Sequence, residues 1–400
     1  MNADKTYRTV EGDFIKTNKW LLPLSWLYGA AVKTRNTLFE MGVLKSRAFQ
    51  IPIISVGNIT VGGTGKTPHV EYLVRLLKDQ FHVAVLSRGY KRKSKGFIKA
   101  DNQTTMPEIG DEPYQMKQKF KDVTIAVDKN RCHGIDILTE QDNKLDVILL
   151  DDAFQHRYVK PGINILLVDY HRLIIYDKLL PAGRLREPLN GKDRADIVIV
   201  TKCPKDLKPM EFRVVTKAMS LYPYQRLYFT TLEYAELQPL FQTSAANIPT
   251  LDSLHDTHVM LLTGIASPEQ LEHDLAPLSP HLTPLTFADH HQFKAKDIEL
   301  INNTFATMQS PKIIITTEKD ATRLNTVDGL SDEVKKNMYV LPVRISFMQD
   351  QDNMFNQQIT DYVRKNSRNS ILVKGKDENK SNNSHHSGDR PRTISFRDNR

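Results

Sequence analysis

Ile53-Ile54-Ser55-Val56-Gly57-Asn58-Ile59-Thr60-Val61-Gly62-Gly63-Thr64-Gly65-Lys66-Thr67-Pro68 reads as an apolar strand, a glycine-rich turn and the opening of a helix. That order is the architecture of a phosphate-binding loop. Glycines let backbone N–H groups close around an anion, and a helix N-terminus adds a favourable dipole. Gly62, Gly63, Thr64 and Gly65 would form the cradle. Lys66 would neutralise phosphate charge, and Thr67 would offer its hydroxyl to Mg²⁺. Pro68 suits a first helical turn, where a missing N–H costs nothing. The usual leading glycine falls at position 60, which is Thr60 here, so Gly62 and Gly63 must supply the flexibility. The plain alternative is a strand–turn–helix connection with a chance Gly-Lys-Thr. Strand, glycines, Lys-Thr and helix start in the right order favour the phosphate loop.

Outward from this loop, strand-like runs alternate with helical stretches. Ile51–Val56, Val83–Ser87, Val123–Val127, Val147–Asp151, Ile163–Val168 and Ile197–Thr201 predict a mostly parallel sheet flanked by helices. Phe212–Val215 and Gln225–Leu232 read as strands leading to a second lobe. A second alternation begins at His258, with strands at Val259–Thr263, Leu282–Phe287, Ile313–Thr317 and Met338–Val343 and helices near 268–277 and 295–308. The expected division is 1–46 (N-terminal extension and interfacial anchor helix), 47–225 (phosphate-loop core), 226–365 (C-terminal α/β lobe) and 366–400 (disordered basic tail).

The chain has 400 residues and a net charge of +8. Between Arg364 and Arg400 there are ten Lys/Arg and four Asp/Glu. Most of the surplus therefore sits in a polar tail that reads as disordered, which argues against a nucleic-acid-binding face. Two cysteines, Cys132 and Cys203, build no disulfide framework and fit a reducing compartment. Residues 20–32 carry no charge and hold both tryptophans, Trp20 and Trp26, with Tyr28 beside them and Lys19, Lys33 and Arg35 at the flanks. Thirteen residues are too few to span a bilayer, which takes ~20. Aromatic and basic residues around a short apolar helix suggest an interfacial anchor; a helix packed on the core is the alternative.

Several short motifs carry chemistry. Asp146–Asp152 is an apolar strand ending in two carboxylates, Asp151 and Asp152. Such a strand beside a phosphate loop offers its terminal Asp to Mg²⁺. Phe154-Gln155-His156-Arg157 follows at the sheet's carboxyl edge, where ligands bind. Gly110-Asp111-Glu112-Pro113 is either a helix cap or a carboxylate aimed at the phosphates. Ser87–Lys93 is a basic loop for an anionic substrate or a solvated charge run. Leu180–Pro188 carries Arg184, Arg186 and Glu187. Asp289-His290-His291 offers a carboxylate–imidazole pair or surface histidines. Thr201-Lys202-Cys203-Pro204 ends as guanine-reading motifs do, but Pro204 replaces the Asp that would read the ring. That leaves ATP as the nucleotide.

In this order, Ser55–Pro68, Leu86–Tyr90, Gly110–Pro113, Leu150–Arg157, Leu180–Pro188, Thr201–Lys202, Phe287–Phe293 and Thr316–Asp320 resemble the tetraacyldisaccharide 4′-kinase family, the lipid A 4′-kinases. Thr60 fits that family's own form of the loop. The resemblance implies a P-loop NTPase-like α/β fold with a second, smaller α/β lobe and an N-terminal membrane-associated helix. It implies ATP- and Mg²⁺-dependent phosphorylation of the 4′-hydroxyl of a tetraacylated glucosamine disaccharide 1-phosphate. Asp111 would be the catalytic base and His290 its partner, with His291 as a substitute. Glu112 and Asp151 would be metal-site carboxylates, with Asp152 close to Lys66. Arg88, Arg184, Arg186 and Glu187 would contact substrate or phosphate. The implied partners are the lipid A precursor and a membrane surface, with no nucleic acid and no obligatory protein. The implied location is the cytoplasmic face of a Gram-negative inner membrane. The rival reading is a P-loop ATPase that drives a membrane partner; it would hydrolyse ATP briskly without lipid.

Overall fold

The computed structural model describes residues 18–241 and 248–367. The extension before residue 18 and the expected basic tail from residue 368 onward lie outside the described residues. The strands in chain order are β1 (Ile53–Gly57), β2 (Val83–Ser87), β3 (Ile98–Lys99), β4 (Thr124–Val127), β5 (Val147–Asp151), β6 (Ile163–Asp169), β7 (Ile197–Thr201), β8 (Arg226–Tyr234), β9 (Gln238–Pro239), β10 (His258–Thr263), β11 (Leu282–Thr286), β12 (Lys312–Thr317), β13 (Met338–Leu341) and β14 (Val343–Phe347). The helices are α1 (Leu22–Glu40), α2 (Lys66–Leu77), α3 (Met106–Ile109), α4 (Asp111–Lys119), α5 (Arg131–Gln141), α6 (Pro209–Met219), α7 (Glu269–Leu275), α8 (Ala295–Thr307), α9 (Glu318–Leu324), α10 (Asp332–Lys336) and α11 (Asp352–Asn366).

Among the described residues, nine strands form one sheet in the order β14-β8-β7-β6-β1-β5-β2-β4-β3, and five form a second in the order β11-β10-β12-β13-β9. The strands from β8 through β4 run parallel, and β14 and β3 are antiparallel edges. β1, β2, β5, β6 and β7 are buried along their whole length. That is why they read as continuous apolar runs rather than alternating ones. β1 lies between β5 and β6, so the phosphate loop leaves from the middle of the sheet. The register sets Val56 opposite Asp151, which brings the two-carboxylate strand end beside that loop.

The sheet membership departs from the division expected at residue 225. β8 pairs parallel with β7, and β14 returns to pair antiparallel with β8. α11 then packs Phe355, Ile359 and Val363 into the same core as Val70, Leu73 and Val74 of α2. The first sheet thus recruits residues 226–234 and 343–366, and the second sheet is an insertion between them. The chain returns because β8 would otherwise be an open edge. Phe212–Val215 is also not a strand. It lies in α6, where Phe212, Val215 and Met219 form a buried helical stripe, and Glu211 accepts the Lys208 backbone N–H at 2.8 Å.

α1 packs on the core with one face and leaves the other bare. The Ser25 hydroxyl donates to the Leu179 carbonyl at 3.0 Å and accepts from the Ala182 N–H at 2.9 Å. The Tyr28 hydroxyl donates to the Arg186 carbonyl at 2.7 Å, and Phe39 is buried against Tyr158. Trp20 is 92% exposed, Trp26 73% and Leu27 71%. Among the described residues no helix is long and apolar enough to cross a membrane.

Candidate active site

The phosphate loop is braced from behind. Gly65 adopts φ 79° just before α2, a left-handed conformation that suits glycine. No side chain caps the first turn of α2, so its N–H groups remain available to an anion. The Asn58 amide donates to the Thr64 hydroxyl at 2.8 Å, and the Thr201 hydroxyl donates to the Thr64 carbonyl at 3.0 Å. His69 is buried, and burial pushes its imidazole down to about 4. It is therefore neutral, with Nδ1–H donating to the Gly65 carbonyl at 2.7 Å and Nε2 accepting from Thr230 at 3.1 Å.

Lys66 Nζ lies 3.6 Å from Asp152, and Arg186 Nη1 lies 3.3 Å from the same carboxylate. Burial opposes the charge on Asp152, but Lys66 and then Arg186 outweigh it and hold the carboxyl below its ordinary range. Asp151 is different. It is 1% exposed, and neither of its oxygens has a hydrogen-bond partner among the described residues. Burial, and then the charges of Glu112 and Asp152, push its carboxyl up to about 7. Arg131 is 2% exposed beside this pair; its Nη2 donates to the Asp151 carbonyl at 3.3 Å.

The loop after residue 180 zips onto the phosphate loop. The Val61 N–H donates to the Arg184 carbonyl at 2.8 Å, and the Arg186 N–H to the Ile59 carbonyl at 2.7 Å. This places Arg184 and Arg186 at the loop's rim. Glu187 departs from the expected substrate contact. It is 3% exposed and takes the Gln155 amide at 3.0 Å and Arg194 at 2.8 Å. Its oxygens hold the loop together instead of facing open space.

Asp111 opens α4 immediately after Gly110, whose φ of 91° and contact with the Tyr90 carbonyl exclude a side chain. Opposite it, on the second lobe, His290 sits in a left-handed conformation (φ 59°) with Nδ1 3.1 Å from Asp111 Oδ2. Lys319 approaches His290 Nε2 at 3.2 Å and Asp289 at 3.0 Å. An ammonium only donates, so Nε2 accepts and Nδ1–H donates to Asp111. His291 points elsewhere: it stacks on Phe287 and bonds Asp297 at 2.9 Å. Burial alone would raise the Asp111 carboxyl. The hydrogen bond from His290, and then the charge and hydrogen bonds of Arg323, outweigh it and hold the carboxyl down at about 2.

A sequence model described as Tetraacyldisaccharide-1-P 4'-kinase matches residues 17–364. The chain belongs to the tetraacyldisaccharide 4′-kinase family. The relative from Phocaeicola vulgatus, named Tetraacyldisaccharide 4'-kinase, is 60% identical over 90% of this chain and 99% of its own. The same-named protein of Bacteroides thetaiotaomicron is 54% identical over 89% and 96%. A crystal structure described as the "apo" form of LpxK from Aquifex aeolicus in complex with ATP superposes with a TM-score of 0.66. It is 30% identical over 86% of this chain and 98% of that one.

Two site residues, Arg131 and Arg323, escape a reading by motif, and Lys319 lies in the matched stretch Thr316–Asp320 without a role assigned from sequence. Arg131 follows Asn130 at the start of α5, and a lone Arg in a helix's first turn carries no motif. Lys319 and Arg323 do have a faint signal. Thr317-Glu318-Lys319-Asp320 follows the strand β12 as a helix cap, and Thr317 accepts the Asp320 N–H at 3.1 Å.

Proposed function

We propose that the chain transfers the γ-phosphoryl group of ATP to the 4′-hydroxyl of tetraacyldisaccharide 1-phosphate, the lipid A 4′-kinase step of lipopolysaccharide synthesis. The observation that carries this reading is the pairing of Asp111 with His290 across the two lobes, in a chain of this family whose phosphate loop adjoins the carboxylates at the end of β5. Lys66 and the free N–H groups of α2 hold the β- and γ-phosphates. Arg88, Arg184 and Arg186 supply positive charge for anionic groups of the two substrates.

The new bond joins the 4′-oxygen to the γ-phosphorus, and the bond from that phosphorus to the bridging oxygen of ADP breaks. The hydroxyl proton passes to the Asp111 carboxylate. A carboxyl held at about 2 is a poor base toward a sugar hydroxyl. In a loose transition state the acceptor is deprotonated late, so Asp111 acts first by aligning the hydroxyl and receives the proton as the P–O bond forms. His290 keeps the carboxylate oriented through Nδ1–H.

The residues also fit Mg²⁺. Two orphaned, buried oxygens on Asp151 ask for a cation. Among the described residues no set of three His, Cys, Asp or Glu side chains could hold a metal by itself, which suits an ion that takes the rest of its ligands from phosphates and water. Asp151 and Thr67 would hold it, with Glu112 and Asp152 close by, and it would offset charge on the transferred group. The bare face of α1, with Trp20, Leu24, Trp26 and Leu27 exposed, suits docking at the cytoplasmic face of the inner membrane, where a lipid headgroup is reached without a spanning helix.

Transfer of labelled γ-phosphate from ATP into the disaccharide in detergent micelles, beside a no-lipid control, tests the reaction. Label in the lipid is expected; free phosphate released without lipid, and none in the lipid, overturns the acceptor assignment. For the membrane face, replacing Trp20 and Trp26 with Ala is expected to weaken co-sedimentation with anionic phospholipid vesicles several-fold. Turnover in micelles should survive. Equal vesicle binding by the double variant would remove α1 as the docking surface.

A further inference from the structure

Arg323 is 1% exposed, the largest of the fully buried side chains among the described residues. A guanidinium is retained in such a place only where acceptors surround it. Four contacts do so. Nε and Nη2 both donate to Asp111 Oδ2, at 2.9 and 2.6 Å. Nη1 donates to Asp320 Oδ1 at 3.0 Å and to the Gly264 carbonyl at 3.3 Å. Asp320 already balances the charge within the second lobe. The other carboxylate, Asp111, comes from the first lobe and receives the two shorter bonds.

The consequence for Asp111 is geometric. All of its described side-chain hydrogen bonds, from His290 and from Arg323, converge on Oδ2. None of them engages Oδ1. A carboxylate held by two donors from one planar fork cannot rotate freely about its Cβ–Cγ bond. The fork itself is rigidly mounted. Asp320 Oδ2 accepts from the Gly264 N–H at 2.9 Å and the Thr317 hydroxyl at 2.7 Å. At the other end of α9, Glu318 is bridged by Lys119 to Glu71 on the helix that follows the phosphate loop. The same helix thus carries Arg323 against the Asp111 carboxylate and is linked through Lys119 to the helix that follows the phosphate loop.

We propose that Arg323 is a positioning residue of the phosphoryl transfer: it fixes the Asp111 carboxylate from the second lobe and presents Oδ1 to the acceptor hydroxyl. This rests on the reading of Asp111 given above. It has one alternative, a staple that merely joins the lobes.

A double-mutant cycle on the full-length protein separates them. Arg323→Met is expected to lower kcat roughly 10- to 100-fold, the scale of a small misplacement of a reacting group, with KM for ATP unchanged. In an Asp111→Asn background the same substitution should cost nothing further, because its effect runs through Asp111. Arg323→Lys, which keeps the charge without the fork, should recover part of the loss and carries the same cycle if the Met variant does not fold. Losses that multiply in the double variant would reduce Arg323 to a staple. If Asp111→Asn is inactive while both Arg323 variants turn over like the wild type, the Arg323 assignment alone falls. If Asp111→Asn itself keeps wild-type turnover, the reading of Asp111 fails first and Arg323 falls with it.

Discussion

Asp111→Asn is expected to lower kcat by roughly 10²- to 10⁴-fold, the usual worth of a positioned acid–base group, while ATP binding stays close to wild type. The amide is nearly isosteric but cannot accept a proton, and its NH₂ group would face donors. On the Oδ2 side it meets three of them: Nδ1–H of His290 and two N–H groups of Arg323. An amide placed there either turns its NH₂ to those donors and loses their bonds, or turns its NH₂ toward the substrate; in the first case the oxygen left to the hydroxyl accepts a hydrogen bond but not a proton, and in the second no acceptor remains. In the proposed reading ATP is held elsewhere, by the phosphate loop and Lys66, so its affinity should survive. Single-turnover transfer with saturating ATP, alongside equilibrium ATP binding, reads the two separately. His290→Ala should lower kcat less, because Arg323 still grips Oδ2. A loss of ATP affinity as large as the loss in kcat would place Asp111 in nucleotide binding instead.

The parts of this site that were legible in the sequence are those whose chemistry is local. The phosphate loop needs contiguous glycines, a Lys and a Thr, and residues 62–67 supply them in order. β5 ends at Asp151, with Asp152 in the turn that follows, because a buried apolar strand emerging at a ligand edge tolerates charge only at its end. Asp111 and His290 were named through resemblance. Sequence context alone leaves Asp111 even with a helix cap and favours surface histidines at 290 and 291, because 179 positions lie between the pair and no local pattern encodes that meeting.

What stayed hidden is non-local in the same sense. Arg323 looks like a helix-surface residue until Asp111 arrives from the other lobe, 212 positions away. Glu187 carries the type of side chain that contacts a sugar, yet Arg194 and Gln155 claim it. The division expected at 225 differs from the sheet membership for a related reason. A strand such as β8 reads the same whether it opens a new lobe or extends the old sheet; only the return of β14 and α11 decides it. Phe212–Val215 misled because two adjacent valines favour a strand locally, while Phe212, Val215 and Met219 share one helical face.

Asp151→Asn carries two effects of opposite sign. Turnover should fall by roughly 10²–10³-fold, the scale of losing one electrostatic stabiliser of the transferred group. The nucleotide-free, Mg²⁺-free protein should become more stable. Both follow from the same pair of orphaned oxygens. Burial and the charges of Glu112 and Asp152 raise the folded carboxyl from 3.8 to about 7. A carboxyl with a raised folded value binds its proton more tightly in the native state than in the unfolded one, so stability falls as pH rises from about 3.8 toward 7. Asparagine cannot ionise and escapes that loss. The gain in melting temperature should therefore be largest near pH 8, shrink as the pH falls below about 7, and vanish below about 3.8. A divalent cation stabilises the wild type by binding the folded state; the Asn variant should show little of that shift. Thermal melts across pH, with and without Mg²⁺ and ATP, check each sign. A variant that melts lower than wild type at pH 8 without metal would mean that Asp151 is a satisfied structural carboxylate. A variant that keeps the full Mg²⁺ shift would move the ion to other ligands.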